Sequence, residues 1–235
     1  HALVIRAPGA EPYVLLLDNA NHGPEFRNYA WLINSEPGNQ IDIDRDAERA
    51  VIHGRKNRLE LAWSYPGPVE YPEPHRLELE TDVIDSICWL PMDHADVTNA
   101  RASRPDDPKA RGATGLGYRP RLIGNLWGYN GQLLTALLPR PAESTDVKIE
   151  SLQPIDQLGF IIHHGDVTDT VIASPHQRNI DAAGIQGEAR MVAVRRNSGE
   201  EIAWWCVVEG FALQVEGKTL LKRRGEAETL VDMAI

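Results

Sequence analysis

Apolar residues along this chain recur in short runs of strand length, and most of the runs have a period of two. In residues 58–65, Leu59, Leu61 and Trp63 share one face while Arg58, Glu60 and Ala62 share the other. That is the alternation of a half-buried antiparallel strand. Residues 40–44 alternate Ile41 and Ile43 with polar neighbours, and residues 75–80 place Leu77 and Leu79 inward. Residues 13–17 are continuously apolar, so that strand is expected to be covered on both faces. The same reading predicts strands at 2–7, 48–53, 83–90, 132–138, 147–152, 158–163 and 167–173, followed by hairpins over 188–209 and 211–223. No stretch sustains a helical period.

Turn chemistry separates these runs. Asn197-Ser198-Gly199 and Glu216-Gly217-Lys218 supply glycine where a hairpin needs a positive φ. Pro66, Pro68, Pro72 and Pro74 exclude a central strand from residues 66–74, which read as an extended connector. Residues 91–117 mix acidic and arginine-rich pieces with Pro105, Pro108 and glycines. Loops of that length are usually functional or mobile, so this one is the candidate substrate-facing lid. About fifteen short strands at regular spacing imply an all-β fold. The expected architecture is a single domain over residues 1–235, a large antiparallel β-sandwich of the two-sheet supersandwich type.

The chain is organised around residues 12–34. Pro-Tyr-Val-Leu-Leu-Leu-Asp-Asn leads through Ala-Asn-His-Gly-Pro-Glu into Phe-Arg-Asn-Tyr-Ala-Trp-Leu-Ile-Asn, a β-hairpin pattern with a long loop. Strand, Asp, polar loop, then aromatic-x-x-Tyr-x-Trp-Leu resembles the C-terminal β-sandwich of heparinase II/III-like polysaccharide lyases. The matching residues are Tyr13, Asp18, Tyr29, Trp31 and Leu32, and Asn34 stands where a His is common in that family. Two further stretches are similar to the family's sandwich: Gln132 to Arg140, which ends in Pro-Arg, and a hairpin over residues 159–174.

The resemblance implies a secreted or periplasmic protein concerned with β-elimination on a uronate-containing, acidic polysaccharide. In that reaction a base takes the proton α to the carboxyl group, an acid assists the leaving oxygen, and the carboxylate charge is neutralised. The family's acid/base Tyr and His come mostly from an N-terminal helical toroid and from a His-rich motif early in the sandwich. This sequence shows neither. The expectation is the C-terminal module of such a lyase, without a full catalytic set of its own. Its implied partners are the polysaccharide and a helical catalytic domain of the same protein. The alternative is a non-catalytic carbohydrate-binding or structural sandwich.

Charge narrows the partners. The net charge is −10, which argues against nucleic acid, and no apolar run approaches the roughly 18 residues of a membrane span. An acidic surface also opposes an anionic glycan, so binding one calls for a local patch. Tyr118, Arg119, Arg121, Trp127 and Tyr129 are the candidate. Sugar faces stack on aromatic rings, and arginine forks match uronate carboxylates bidentately. The competing reading makes Trp127 and Tyr129 core and the arginines plain surface.

Other clusters compete less well with simple structural readings. His163-His164-Gly165-Asp166 offers zinc-type ligands, but it sits where a hairpin turn belongs, and neighbouring strand residues point apart. Asp93-His94-Ala95-Asp96 lacks a second histidine nearby and reads as solvated loop. Trp204 and Trp205 must face opposite ways, either both as core or one as an exposed platform. His176 and Arg178 follow Ser174-Pro175 and read as loop. His1 is similar to the N-terminal copper ligand of polysaccharide monooxygenases in one residue only, and a fragment start or tag remnant explains it more simply. No cofactor and no metal is assigned. Cys88 and Cys206 lie in apolar strand-like runs, as buried thiols or as a disulfide if their strands face each other.

Overall fold

The computed structural model describes residues 1–6, 9–20, 25–36, 38–66, 74–86, 117–144, 147–152, 157–176, 178–223 and 228–233. The candidate lid, Cys88, and the Asp93 to Asp96 cluster lie outside the described residues. Among those described, the chain forms antiparallel strands numbered 1 to 19 and no helix. The all-β antiparallel sandwich expected from the alternation is what the chain adopts. Its described strands divide into four sheets: two large ones and two smaller ones.

The first large sheet runs in the order β1 (Ala2–Ile5), β2 (Tyr13–Ala20), β9 (Gly131–Pro141), β6 (Asn57–Ser64), β5 (Arg49–His53) and β4 (Gln40–Asp44). The second runs β10 (Lys148–Leu152), β11 (Leu158–His164), β12 (Val167–Ala173), β15 (Met191–Asn197), β16 (Ile202–Gly210) and β19 (Glu228–Met233). A three-stranded sheet contains β3 (Arg27–Asn34), β8 (Gly117–Gly128) and β7 (Arg76–Ser86). A four-stranded sheet contains β13 (Asn179–Ala182), β14 (Ile185–Glu188), β17 (Ala212–Val215) and β18 (Lys218–Lys222).

Side-chain alternation stacks these sheets in four layers. In β9, Leu134, Ala136 and Leu138 turn toward the second large sheet, where Phe160, Ile162, Val171, Met191 and Cys206 meet them. Their neighbours Leu133 and Leu137 turn the other way and pack with Leu61, Trp63, Leu79, Leu122 and Leu126, filling the space under the three-stranded sheet. The second large sheet divides likewise. Val192, Val194 and Val207 pack with Ile180, Ile185, Leu213 and Val215 of the four-stranded sheet. Trp204 and Trp205, 6% and 7% exposed, drop into the two separate cores on either side of β16. Both are core, so neither forms a glycan platform.

One expectation fails in β2. Tyr13, Leu15 and Leu17 are buried between the large sheets, whereas Val14 and Leu16 on the reverse face are only half-buried. The cluster under the three-stranded sheet takes residues from β4, β5, β6 and β9 but none from β1 or β2. The continuous apolar run therefore marks a strand covered fully on one face.

Polar ties cross between the large sheets. Asp169 and Arg195 are register partners in β12 and β15, and both are essentially inaccessible to solvent. Arg195 donates from Nε and Nη2 to the two Asp169 oxygens at 2.6 Å each. From β2, the Tyr13 hydroxyl donates to Asp169 Oδ2 at 2.7 Å. The Tyr13 ring stacks on His164 at 5.4 Å between centroids. Burial, reinforced by the Asp169 charge, holds the Tyr13 phenol well above its ordinary pKa, so it remains a donor. Elsewhere the Ser64 hydroxyl donates to the Leu152 carbonyl at 2.8 Å and accepts the Gly159 N–H at 2.9 Å.

Removing one partner of a buried ion pair leaves the other charge without compensation. Asp169→Ala is therefore expected to destabilise the fold by about 3–5 kcal/mol, while Tyr13→Phe costs about 1 kcal/mol. Urea denaturation midpoints measure both, and equal losses would contradict the hierarchy. Cys206 is buried and free, with its thiol pushed up to about 11 by burial. Thiolate reagents at pH 8 should leave it unlabelled in the native protein and label it in denaturant, as peptide mapping would show.

Candidate functional site

The outward face of the three-stranded sheet carries the described residues of the predicted patch. Leu122 and Leu126 of β8 point into the core, so alternation turns Arg119, Arg121, Ile123, Asn125 and Trp127 outward. The Tyr118 side chain lies outside the described ones. Tyr129 sits beyond the end of β8, in the turn to β9. At strand rise, Arg121 and Trp127 stand about 20 Å apart. The predicted residues thus do not meet in one spot: they mark two ends of a single exposed row.

The row is matched in charge. Arg121 grips its register partner Asp82 with both arms of its fork, the Nε bond being 2.8 Å long. Arg76 donates to Glu78 at 2.9 Å, and Trp127 Nε1 donates to the same side chain at 3.0 Å. Between these ends, Asn28 donates to Asn125 at 3.1 Å and Asn125 donates to Glu80 at 2.8 Å. The hydrogen bond from Arg121 holds Asp82 below its ordinary pKa, and bonds from Arg76 and then Trp127 do the same for Glu78. These depressed carboxylates favour the fold above the ordinary carboxylate range, and that support is lost as pH falls through their lowered values. Of the arginine forks expected to await a uronate, that of Arg121 is thus already occupied by Asp82, and Arg76, which the sequence reading did not single out, is likewise held by Glu78.

The Trp127 end is an aromatic cluster that grows out of the β8–β9 hairpin. Phe26 stacks on Trp127 with centroids 6.3 Å apart and meets Tyr129 edge-on at 5.3 Å. The Arg76 guanidinium lies over the Trp127 ring, 5.2 Å from its centroid. The Tyr129 N–H donates to Nε2 of the buried His75 at 3.2 Å, which puts the proton of a neutral ring on Nδ1. The Tyr29 hydroxyl donates to the Tyr129 carbonyl at 3.5 Å. Two glycines make this packing possible. A Cβ on Gly128 would run into the His75 ring, and one on Gly131 would sit 2.5 Å from the Tyr29 ring.

On the other side of the hairpin, Gln132 touches His176 in the loop after β12. Sequence reasoning missed Phe26, His75 and Gln132 as members of this end. Only Phe26 left a trace, as the first aromatic of the Phe-x-x-Tyr-x-Trp pattern. His75 is brought to the hairpin by the pairing of β7 with β8, and Gln132, itself in β9, is marked out only by its contact with His176, which no local pattern encodes.

The remaining candidates fall into structural roles. His163 and His164 end β11, and Gly165 turns the chain with φ +60 into β12. His164 faces the buried pair, 3.7 Å from Asp169, and burial lowers its pKa. His163 lies beside Glu150 at 3.4 Å, so the two imidazoles diverge as neighbouring strand residues must. The His1 ring faces Glu209 at 3.5 Å, and its main-chain nitrogen donates to the Leu17 carbonyl at 2.9 Å. Among the described residues no group of His, Cys, Asp and Glu side chains has a metal-holding arrangement.

No protein-family model matches the chain, and no curated protein matches it as a relative.

Because His75 fills the space over Gly128, Gly128→Ala should displace the imidazole and cost about 1–3 kcal/mol in stability. Thermal unfolding with the Tyr129 amide shift as a local probe tests this. An unchanged shift would mean that His75 does not hold the hairpin.

Proposed function

We propose that this chain is a β-sandwich module of a uronate-polysaccharide lyase of the kind its organising hairpin resembles. In this reading it contacts the acidic polysaccharide rather than cleaving it. The contact surface is the outward row of β8 from Trp127 to Arg121, continued by Tyr129 at the hairpin. A helical domain of the same protein would supply the catalytic residues, and the protein would be secreted or periplasmic. The observation that carries the reading is the exposed row itself. It carries an aromatic platform at one end, an arginine fork paired with Asp82 at the other, and amide side chains of Asn28 and Asn125 between them. An extended saccharide lying along the strand would meet all three kinds of group.

The residues of the resemblance have physical roles compatible with a module of this kind. Tyr13 ties the large sheets through Asp169. Trp31 packs edge-on against Trp63, with centroids 5.8 Å apart. These residues of the pattern thus serve the sandwich interior rather than the outward row.

A second reading follows from the charge matching. With Arg121 and Arg76 held by Asp82 and Glu78, the face also suits a neutral glycan, as a carbohydrate-binding sandwich with no uronate preference. Calorimetric titration with alginate, glycosaminoglycan, ulvan and neutral oligosaccharides separates the two. The lyase-module reading expects acidic ligands to bind best and Trp127→Ala to weaken them about tenfold, or ~1.4 kcal/mol. Equal binding of neutral and acidic ligands favours the second reading. Release of unsaturated uronate by this chain alone would show that it carries a catalytic set and overturn the proposal.

A further inference from the structure

Beside the hairpin, cationic side chains collect around one carboxylate at the end of the two large sheets. Glu209 Oε2 lies 3.3 Å from Arg178 and 3.8 Å from Arg190 Nε, and Oε1 lies 3.5 Å from the His1 ring. Charge-assisted N–H···O bonds are usually about 2.7–2.9 Å long, so Glu209 holds each of its three neighbours loosely. Arg190 Nε is buried without a hydrogen-bond partner among the described residues. The other end of Arg190 donates to the Ser174 carbonyl at 3.4 Å and to the Pro175 carbonyl. Asn19, from the first large sheet, donates to the same Pro175 carbonyl at 3.5 Å.

This bracing fixes the loop that presents His176. His176 is exposed and meets the amide of Gln132, a side chain only 3% exposed. Arg178 follows two residues later with φ 52, and Glu209 holds φ 47. Both are left-handed conformations that a non-glycine residue keeps only where its surroundings impose them. The rim holds one more guanidinium than carboxylate, before either imidazole is counted. Another carboxylate near it in sequence, Glu188, is exposed on β14, in register with Asn179 and Ala212. In a chain of net charge −10, this is a local excess of positive charge.

We infer that this rim is an anion subsite in which Arg178 and His176, the latter braced from below by Gln132, receive a carboxylate or sulfate group, with Glu209 as a built-in competitor for the guanidiniums. The inference deepens the proposed function and rests on it for the source of the anion, which is the acidic saccharide. Glu209 partly neutralises the rim when no ligand is present. A ligand carboxylate that offers shorter bonds displaces it from Arg178. The sequence alone left His176 and Arg178 as loop residues, since Gln132 comes from β9, Arg190 from the bend between β14 and β15, and Glu209 from β16.

The test uses the full chain with two probes, a uronate oligosaccharide and inorganic sulfate, titrated at low and moderate salt. Arg178→Ala should weaken the oligosaccharide at least fivefold and flatten its salt dependence. Glu209→Gln, which removes the competitor, should tighten it severalfold. The opposite signs separate a subsite from simple loss of folding, which circular dichroism checks in each variant. Wild-type affinity in both variants would overturn the inference while leaving the proposed function intact. Sulfate binding that depends on Arg178, with no oligosaccharide binding in any variant, would support the subsite and remove the saccharide reading.

Discussion

A carboxylate buried between two β-sheets needs a paired charge and hydrogen-bond donors to offset its lost hydration. Asp169 meets that condition with a bidentate bond from Arg195 in its own sheet and a hydroxyl from Tyr13 across the interface. The geometry fixes more than a local contact. A one-residue slip of β2 would carry Tyr13 to the opposite face and strand the buried carboxylate. The register of β2 in turn sets that of β9, with Ala20 opposite Gly131 and Asn19 opposite Gln132. The β8–β9 hairpin and its aromatic cluster therefore stand where they do because Tyr13 is held in place.

From that anchor the layers follow. Each large sheet buries both faces over most of its width, which requires two smaller covering sheets in addition to the central interface. The outer faces of the covering sheets carry half-buried and exposed side chains among the described residues. On the three-stranded sheet the outer face carries arginine, carboxylate, amide and aromatic groups in register across three strands. Hydrogen bonds join its side chains across neighbouring strands, so the groups are set in position before any ligand arrives. Such an arrangement lowers the ordering cost of binding an extended chain. The end of the sandwich adds a loosely neutralised cluster around Glu209.

Much of the fold was legible because alternation is a strong signal. The inward faces of residues 58–65 and 75–80, the opposed orientation of Trp204 and Trp205, and the turn at Gly165 follow from a period of two and from turn chemistry. The number of sheets was not legible. Whether Leu133 and Leu134 serve one core or two depends on which strands lie above and below, and that is a long-range property. The site was legible only in part. The β8 arginines and aromatics stood out by type, but their carboxylate partners Asp82 and Glu78 arrive from β7 through pairing. His75 likewise reaches the hairpin, and Glu209 the loop after β12, through tertiary contacts that leave no local pattern.

The central claim is that the outer face and end of this sandwich receive an acidic polysaccharide. Amide hydrogen exchange on the full chain, with and without a saturating uronate oligosaccharide, tests it most directly. The account predicts added protection in β3, β7 and β8, in the turn around Tyr129, and at residues 174–178, with the four-stranded sheet unchanged. Protection confined to the four-stranded sheet, or none anywhere at saturation, would contradict it.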